Sequence, residues 1–208
     1  MKVLVIGAGN MGSGFVKQLR AAGHQVSVTA RDAAKAQAVA QQYGAKAVST
    51  AGAADGVDAI VVATPYEQAA EALRSVGKLD GKPVIDITNP LTADYMGLTV
   101  GHNTSAAEQI AQAVPGAEVV KGFNTVFAQV LAEGAKLNGQ KVTVFVASDS
   151  ERAKQTARAL AESMGFDVID VGGLKNARYL EPVAGLNIYL GYGAGLGTSI
   201  APTWIRKN

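Results

Sequence analysis

Cysteine is absent from the 208 residues, which excludes disulfides, thiolate metal sites and a cysteine nucleophile. Only two histidines are present, so a multi-histidine metal centre is not expected. An excess of one charge is also lacking: 19 basic and 17 acidic residues leave a net +2 and are scattered along the chain. That balance provides no basic stripe for nucleic acid and no polybasic patch for a membrane surface. No apolar run approaches the ~20 residues that cross a bilayer. The opening MKVLVIGAG reads as a short strand entering a glycine turn rather than as a signal peptide. What is plentiful is apolar surface, at 48% hydrophobic residues, enough for a sizeable core and too much for disorder. These bounds lead to the expectation of a cytoplasmic α/β protein with neither nucleic acid nor membrane as partner.

Short β-branched runs alternate with longer alanine-rich stretches. Strands are expected at Lys2–Ile6, Gln25–Thr29, Ala59–Ala63, Pro83–Ile87, Glu118–Lys121, Lys141–Ala147 and Phe166–Val171. Their near-continuous apolar character suits parallel strands covered on both faces. Helices are expected at Met11–Ala22, Ala33–Tyr43, Glu67–Val76, Ser105–Val114 and Glu151–Met164. Ser105-Ala-Ala-Glu108 and Ser148-Asp-Ser-Glu151 both fit a capping box. Gly23, Gly44 and Gly165 stand where a left-handed residue closes a helix. Such alternation argues a Rossmann-type, doubly wound, mostly parallel sheet. The expectation is a single domain, with an α/β core over 1–171 and a small helical extension over 172–208. The glycine-rich tail GYGAGLGTSIAPTW reads equally as a lid carrying Tyr192 or Trp204, as an arm onto a second subunit, or as a close-packed helix pair.

The motif with most content is Gly7-Ala-Gly9-Asn10-Met11-Gly12. It follows the first strand directly and opens the first helix, the context that turns a common glycine pattern into a dinucleotide fingerprint. Gly7 permits the tight turn, Gly9 lets backbone approach a pyrophosphate, and Gly12 lets helix and strand pack closely, with phosphates at the positive helix end. About 20 residues on, an NAD-binding chain places an acidic residue for the ribose 2′-hydroxyl. Here the second strand ends Thr29-Ala30-Arg31-Asp32, with Lys35 one turn later. Arg31 and Lys35 suit a 2′-phosphate, one as a planar fork and one as a point charge, while Asp32 reads as the cap of the following helix. The cofactor expected is therefore NADP(H).

Further stretches lie at strand carboxyl ends, where open α/β sheets bind ligands. Ala63-Thr64-Pro65-Tyr66 and Asn89-Pro90 follow the third and fourth expected strands. Tyr66 offers a ring and a hydroxyl to the nicotinamide ribose, while Thr-Pro and Asn-Pro are equally ordinary turn formers. Asn124 and Thr125 follow Val119–Lys121 and read either as groups positioning a hydride acceptor or as caps of a helix over Val126–Ala132. Lys121 reads as a partner for the acceptor or as a surface lysine. His24 reads as structural and His102 as a surface loop residue.

The ordered set GAGNMG, TAR, ATPYEQA, DITNPL, VVKGFNT and VASDSERAK resembles the NADP-dependent coenzyme F420 oxidoreductase family and the related cytoplasmic domain of STEAP metalloreductases. The resemblance implies a homodimer that transfers hydride between NADP(H) and a deazaflavin (F420) or a flavin as co-substrate. It places NADPH along Gly7–Gly12 with Arg31 and Lys35 at the 2′-phosphate. The nicotinamide lies near Thr64–Tyr66 and Asn89–Leu91, and the tricyclic acceptor stacks above it. Two other readings stay open: a reductase of a small carbonyl or imine, and a non-catalytic NADPH-binding redox sensor.

Overall fold

The protein is described here by a computed structural model covering residues 1–204 and Lys207; Ile205, Arg206 and Asn208, at the end of the expected helical extension, lie outside the described residues. Six strands form one sheet: β1 (Lys2–Ile6), β2 (Gln25–Thr29), β3 (Lys46–Ala47), β4 (Ala59–Val62), β5 (Pro83–Asp86) and β6 (Glu118–Lys121). Their order is β3-β2-β1-β4-β5-β6 and every neighbouring pair is parallel. This is the doubly wound order that reverses between β1 and β4 and opens a crevice at the carboxyl ends there.

Helices α1 (Asn10–Ala21), α2 (Ala33–Tyr43), α3 (Tyr66–Ser75), α4 (Ala106–Ala113), α5 (Ala128–Glu133), α6 (Glu151–Ser163) and α7 (Ala177–Ile188) cover the sheet. The period of two along β1 shows both faces at work. Val3 and Val5 enter a core layer with Phe15, Leu19 and Leu160, while Leu4 and Ile6 enter another with Leu73 and Ile110. Phe15, Phe123 and Phe166 stack edge-on at 5.0 and 5.8 Å between ring centres within the first of these layers and tie α1 to the segments that follow β6 and α6.

After α5 the chain makes a small antiparallel ribbon, β7 (Lys136–Leu137) with β8 (Gln140–Lys141), and then a parallel pair, β9 (Thr143–Val146) with β10 (Asp167–Asp170). β9 meets β6 the other way round: Lys121 N–H donates to Ala147 C=O at 2.9 Å and Ala147 N–H returns the bond at 3.0 Å. α7 continues into a π-helical turn over Tyr189–Gly193. It is part of the packed structure, with Ala177, Leu180 and Ala184 buried. Among the described residues no helix is long and apolar enough to cross a membrane.

One of the two expected capping boxes is shifted. Ser105 caps α4 by accepting from Glu108 N–H. α6, in contrast, is capped by Ser150, which accepts from Ala153 N–H at 3.2 Å. Ser148 instead donates its hydroxyl to Val119 C=O at 2.6 Å, bracing the β6 to β9 junction.

Candidate active site

The glycine turn is built as three different solutions to crowding. Gly7 has φ +117°, and a Cβ there would stand 2.3 Å from Ala63 C=O. A Cβ on Gly12 would stand 2.0 Å from Gly7 C=O, so α1 sits on the turn only because the side chain is missing. Gly9 differs, since a Cβ there meets nothing within 4 Å. The space it would occupy faces the cleft. α1 also starts without a side-chain cap and without an acidic residue in its first turn, whereas α2, α4 and α6 are each capped by a side chain. Free first-turn amides and an open backbone approach form a cradle that fits a pyrophosphate.

The cleft beside this cradle measures about 810 Å³ and runs from Gly7–Asn10 to Arg31 and Lys35. Thr29 fixes its middle: its C=O accepts Gly7 N–H at 2.8 Å and its hydroxyl meets that of Thr50 at 3.1 Å. Arg31 and Lys35 are exposed along the wall. Asp32 Oδ1 accepts the amides of Ala34 and Lys35 at 3.0 and 3.2 Å, which makes it the cap of α2. On the opposite wall Ala63, Thr64 and Pro65 are joined by Gln68, Glu71, Ala72 and Ser75. Those four α3 residues recur at helical spacing, a signal in the sequence that points to one face of one helix. Thr50 carries no such signal; it arrives because β3 pairs with β2. Thr64 Oγ1 is buried there without a hydrogen-bond partner.

A second cavity of about 210 Å³ opens on the other side of the α1 start, lined by Met11, Asn89, Leu91, Asn124, Thr125 and Asn187 among others. Its polar floor is a hydrogen-bonded network that leaves Asn124 Oδ1 buried without a partner. Asn124 Nδ2 donates to Asn89 Oδ1 at 3.0 Å and to Leu180 C=O at 3.0 Å, and Asn89 Nδ2 donates to Asn124 C=O at 2.8 Å. Asn187 Nδ2 donates to Thr125 C=O at 3.1 Å. Phe123, fully buried just before Asn124, is held at φ +59°, a strained geometry of the kind that concentrates at functional sites. Neither Asn124 nor Thr125 caps α5, which starts at Phe127 without a side-chain cap. The apolar walls include Phe127, Ile188 and Tyr192. Tyr192 sits edge-on to Phe127 at 5.8 Å, whereas Trp204 packs on Phe145 at 5.2 Å, away from this cavity.

Several expected positions fall elsewhere. Tyr66 lines neither the cleft nor the cavity; its ring lies against the α3 side of the core and its hydroxyl donates to Gln109 on α4. Burial, followed by the negative charges of Glu181, Glu67 and Asp86, raises that phenol above its ordinary range. Pro90 is buried and shapes the loop, its C=O accepting Thr99 N–H at 2.7 Å. Lys121 fits neither alternative read from the sequence, being fully buried in an ion cluster with Asp86 and Glu181. His24 lies between the Met1 amine at 3.1 Å and Ser163 Oγ at 2.9 Å. His102 lines a separate groove beside Lys175 and Arg178.

Sheet order, open glycine cradle and the helix-capping Asp32 together define a Rossmann-type, dinucleotide-binding class of protein, with Arg31 and Lys35 exposed at the end of the cleft away from the cradle. Residues 2–90 match the family described as NADP oxidoreductase, coenzyme F420-dependent. The F420-dependent NADP reductase of Methanothermobacter marburgensis is 32% identical over 91% of this chain and 92% of its own length. The chain belongs to this F420-dependent NADP oxidoreductase family. It is also similar to rat metalloreductase STEAP3, at 28% identity over 88% of this chain but only 36% of that protein. A solved structure from Arthrobacter sp. FB24, assigned to the F420-dependent NADP-reductases, superposes with a TM-score of 0.89 at 29% identity, over 99% of this chain and all of that one. An imine reductase from Pseudomonas sp., at 21% identity and a TM-score of 0.69, shares the fold.

Proposed function

We propose that this protein is an NADPH-dependent oxidoreductase that passes hydride between NADP(H) and a flat tricyclic acceptor, a deazaflavin (F420) or a flavin. The observation that carries the reading is the cleft with an open Gly9 cradle at one end and Arg31 with Lys35 at the other. Bound there, NADPH supplies a hydride. The α1 amides and Gly9 hold the pyrophosphate, and Arg31 and Lys35 hold the 2′-phosphate. The nicotinamide half then extends toward Met11, Thr64 and Asn89, where the second cavity begins. Asn124 and Thr125 line that cavity and orient the acceptor. Transfer between two planar rings relies on proximity and alignment more than on acid–base groups, which agrees with a site built from amides and apolar walls.

Membership of a family whose Methanothermobacter marburgensis relative is named an F420-dependent NADP reductase supports the acceptor class. The test is anaerobic oxidation of NADPH, and of NADH in parallel, with F420, FMN, FAD or riboflavin supplied separately. The expected result is turnover with NADPH and at least one of these rings. NADPH binding without oxidation by any of them would remove the acceptor assignment. We further propose a cytoplasmic homodimer. Tyr179, Leu186 and Tyr189 form an exposed apolar stripe along α7 and its π turn, the sort of surface that a second copy covers.

A further inference from the structure

Three charged side chains lie sealed inside the protein at the carboxyl ends of β5 and β6, and the hydride transfer described above makes no use of them. Lys121 Nζ is 2.7 Å from Asp86 Oδ2 and 2.9 Å from Glu181 Oε1, with all three side chains at most 1% exposed. It also donates to Thr88 C=O at 2.7 Å. Burial alone would push Lys121 down, but Asp86 and Glu181 outweigh it and hold the ammonium above its usual range. Glu181 accepts the amides of Ala106 and Ala107 at the start of α4, at 2.9 and 3.2 Å, and Asp86 Oδ1 accepts Thr88 N–H at 2.8 Å. Each of these contacts presents a donor to a carboxylate, the arrangement that an anion requires.

Two carboxylates against one ammonium leave one negative charge in excess. The α4 amides offset part of it. Arg178, one turn away on α7, does not, because its guanidinium is paired with Glu108 at 2.7 and 2.9 Å. Tyr66 is held neutral. Packed apolar side chains would stabilise the fold about as well as a buried ion cluster, so stability does not by itself account for these three residues. Their location is more informative. Asp86 precedes Asn89 by three residues, roughly 10 Å along an extended chain. Glu181 follows Leu180, whose C=O holds Asn124. The cluster lines no cavity itself but is joined to the floor formed by Asn89 and Asn124 through the short Asp86–Asn89 turn and the Leu180–Glu181 peptide.

We propose that the Asp86–Lys121–Glu181 cluster biases the ring end of the site electrostatically, favouring the oxidised, cationic nicotinamide over the reduced, neutral one. The proposal rests on the reading given under Proposed function. When hydride leaves NADPH, the C4–H bond breaks with its electron pair and a new bond to hydrogen forms on the deazaflavin or flavin. The acceptor is reduced and takes its proton from solvent, and the oxidised nicotinamide gains one positive charge. A sealed negative charge behind the ring end of the site would lower the cost of that change, and it is poorly screened by salt. For a separation on the order of 10 Å and an effective dielectric near 20, a full charge would alter relative affinity by roughly tenfold; the α4 offset brings the expectation to about three- to tenfold.

The test is calorimetric titration of the whole protein with NADP+ and with NADPH, in the natural chain and in Glu181→Gln and Asp86→Asn, each of which removes one negative charge at nearly constant shape. In either variant the ratio of the NADP+ to the NADPH dissociation constant should rise about three- to tenfold. General damage to the site moves both constants together, so either folded variant decides the matter. An unchanged ratio overturns the electrostatic role while leaving the cofactor assignment intact. Failure of the natural chain to bind either form would overturn the cofactor assignment and, with it, the bias.

Discussion

Gly9 and Gly12 stand three residues apart in one motif, yet their substitution should have opposite signatures. Gly9 has φ −79°, which alanine adopts, and an added Cβ meets no protein atom. Gly9→Ala should leave thermal stability within about 0.5 kcal/mol while weakening NADPH by tenfold or more in calorimetry. In Gly12→Ala the new methyl would collide with Gly7 C=O, forcing α1 off the sheet at a cost of about 1–3 kcal/mol, read as a lower unfolding midpoint. Arg31→Ala should weaken NADPH by about tenfold to a hundredfold, the worth of a charge-assisted contact, and leave NADH nearly unaffected; equal losses would remove Arg31 from the 2′-phosphate. The turn at Gly7, the close packing at Gly12 and the cap at Asp32 are legible in the sequence because their roles are local. Asp32 shows this well, since the sequence already pointed to the cap that its Oδ1 forms. Lys121 was not legible. Its partners Asp86 and Glu181 lie far away in sequence, and nothing near Lys121 distinguishes a buried ammonium from a surface one.

At the scale of elements, helix ends decide how well the sequence can be read. α1, α2 and α3 follow from apolar spacing with flanking turn residues, and the four cleft-facing positions of α3 follow from the same period. α7 was hidden by Pro182 and Gly185 within it and by the glycines after it. It forms because Leu180 and Ala184 are buried on one face and Glu181 and Asn187 find polar partners, which is tertiary information. The shifted cap of α6 has a similar cause. Ser148 and Ser150 are equivalent candidates locally, but the β6 to β9 junction claims Ser148 for Val119 C=O. Ser150→Ala should therefore cost about 1 kcal/mol of stability through the lost cap, measured by urea unfolding. Indifference to that substitution would mean that the α6 amides are satisfied some other way.

Across the whole molecule, the N-terminus, β2 and α6 meet at His24. Burial, reinforced by the Met1 ammonium, holds this imidazole below its ordinary 6.5. The unfolded chain therefore binds the proton first as pH falls, so the stability contributed here is full above 6.5 and is lost as pH drops from there toward the folded value. His24→Gln should flatten that part of the stability profile, and an unaltered slope would assign it to other groups. The sheet order, both core layers and the crevice at the β1/β4 reversal all serve one claim: two flat rings are held face to face beyond the strand ends for hydride transfer. The most direct test is to mix the protein anaerobically with F420 and NADPH carrying deuterium at both C4 positions, and to examine the reduced product by mass spectrometry. The account predicts one deuterium on the deazaflavin ring carbon, delivered without exchange with solvent. Reduced F420 free of deuterium, or no reduction of F420 or any flavin while NADPH is bound, would contradict it.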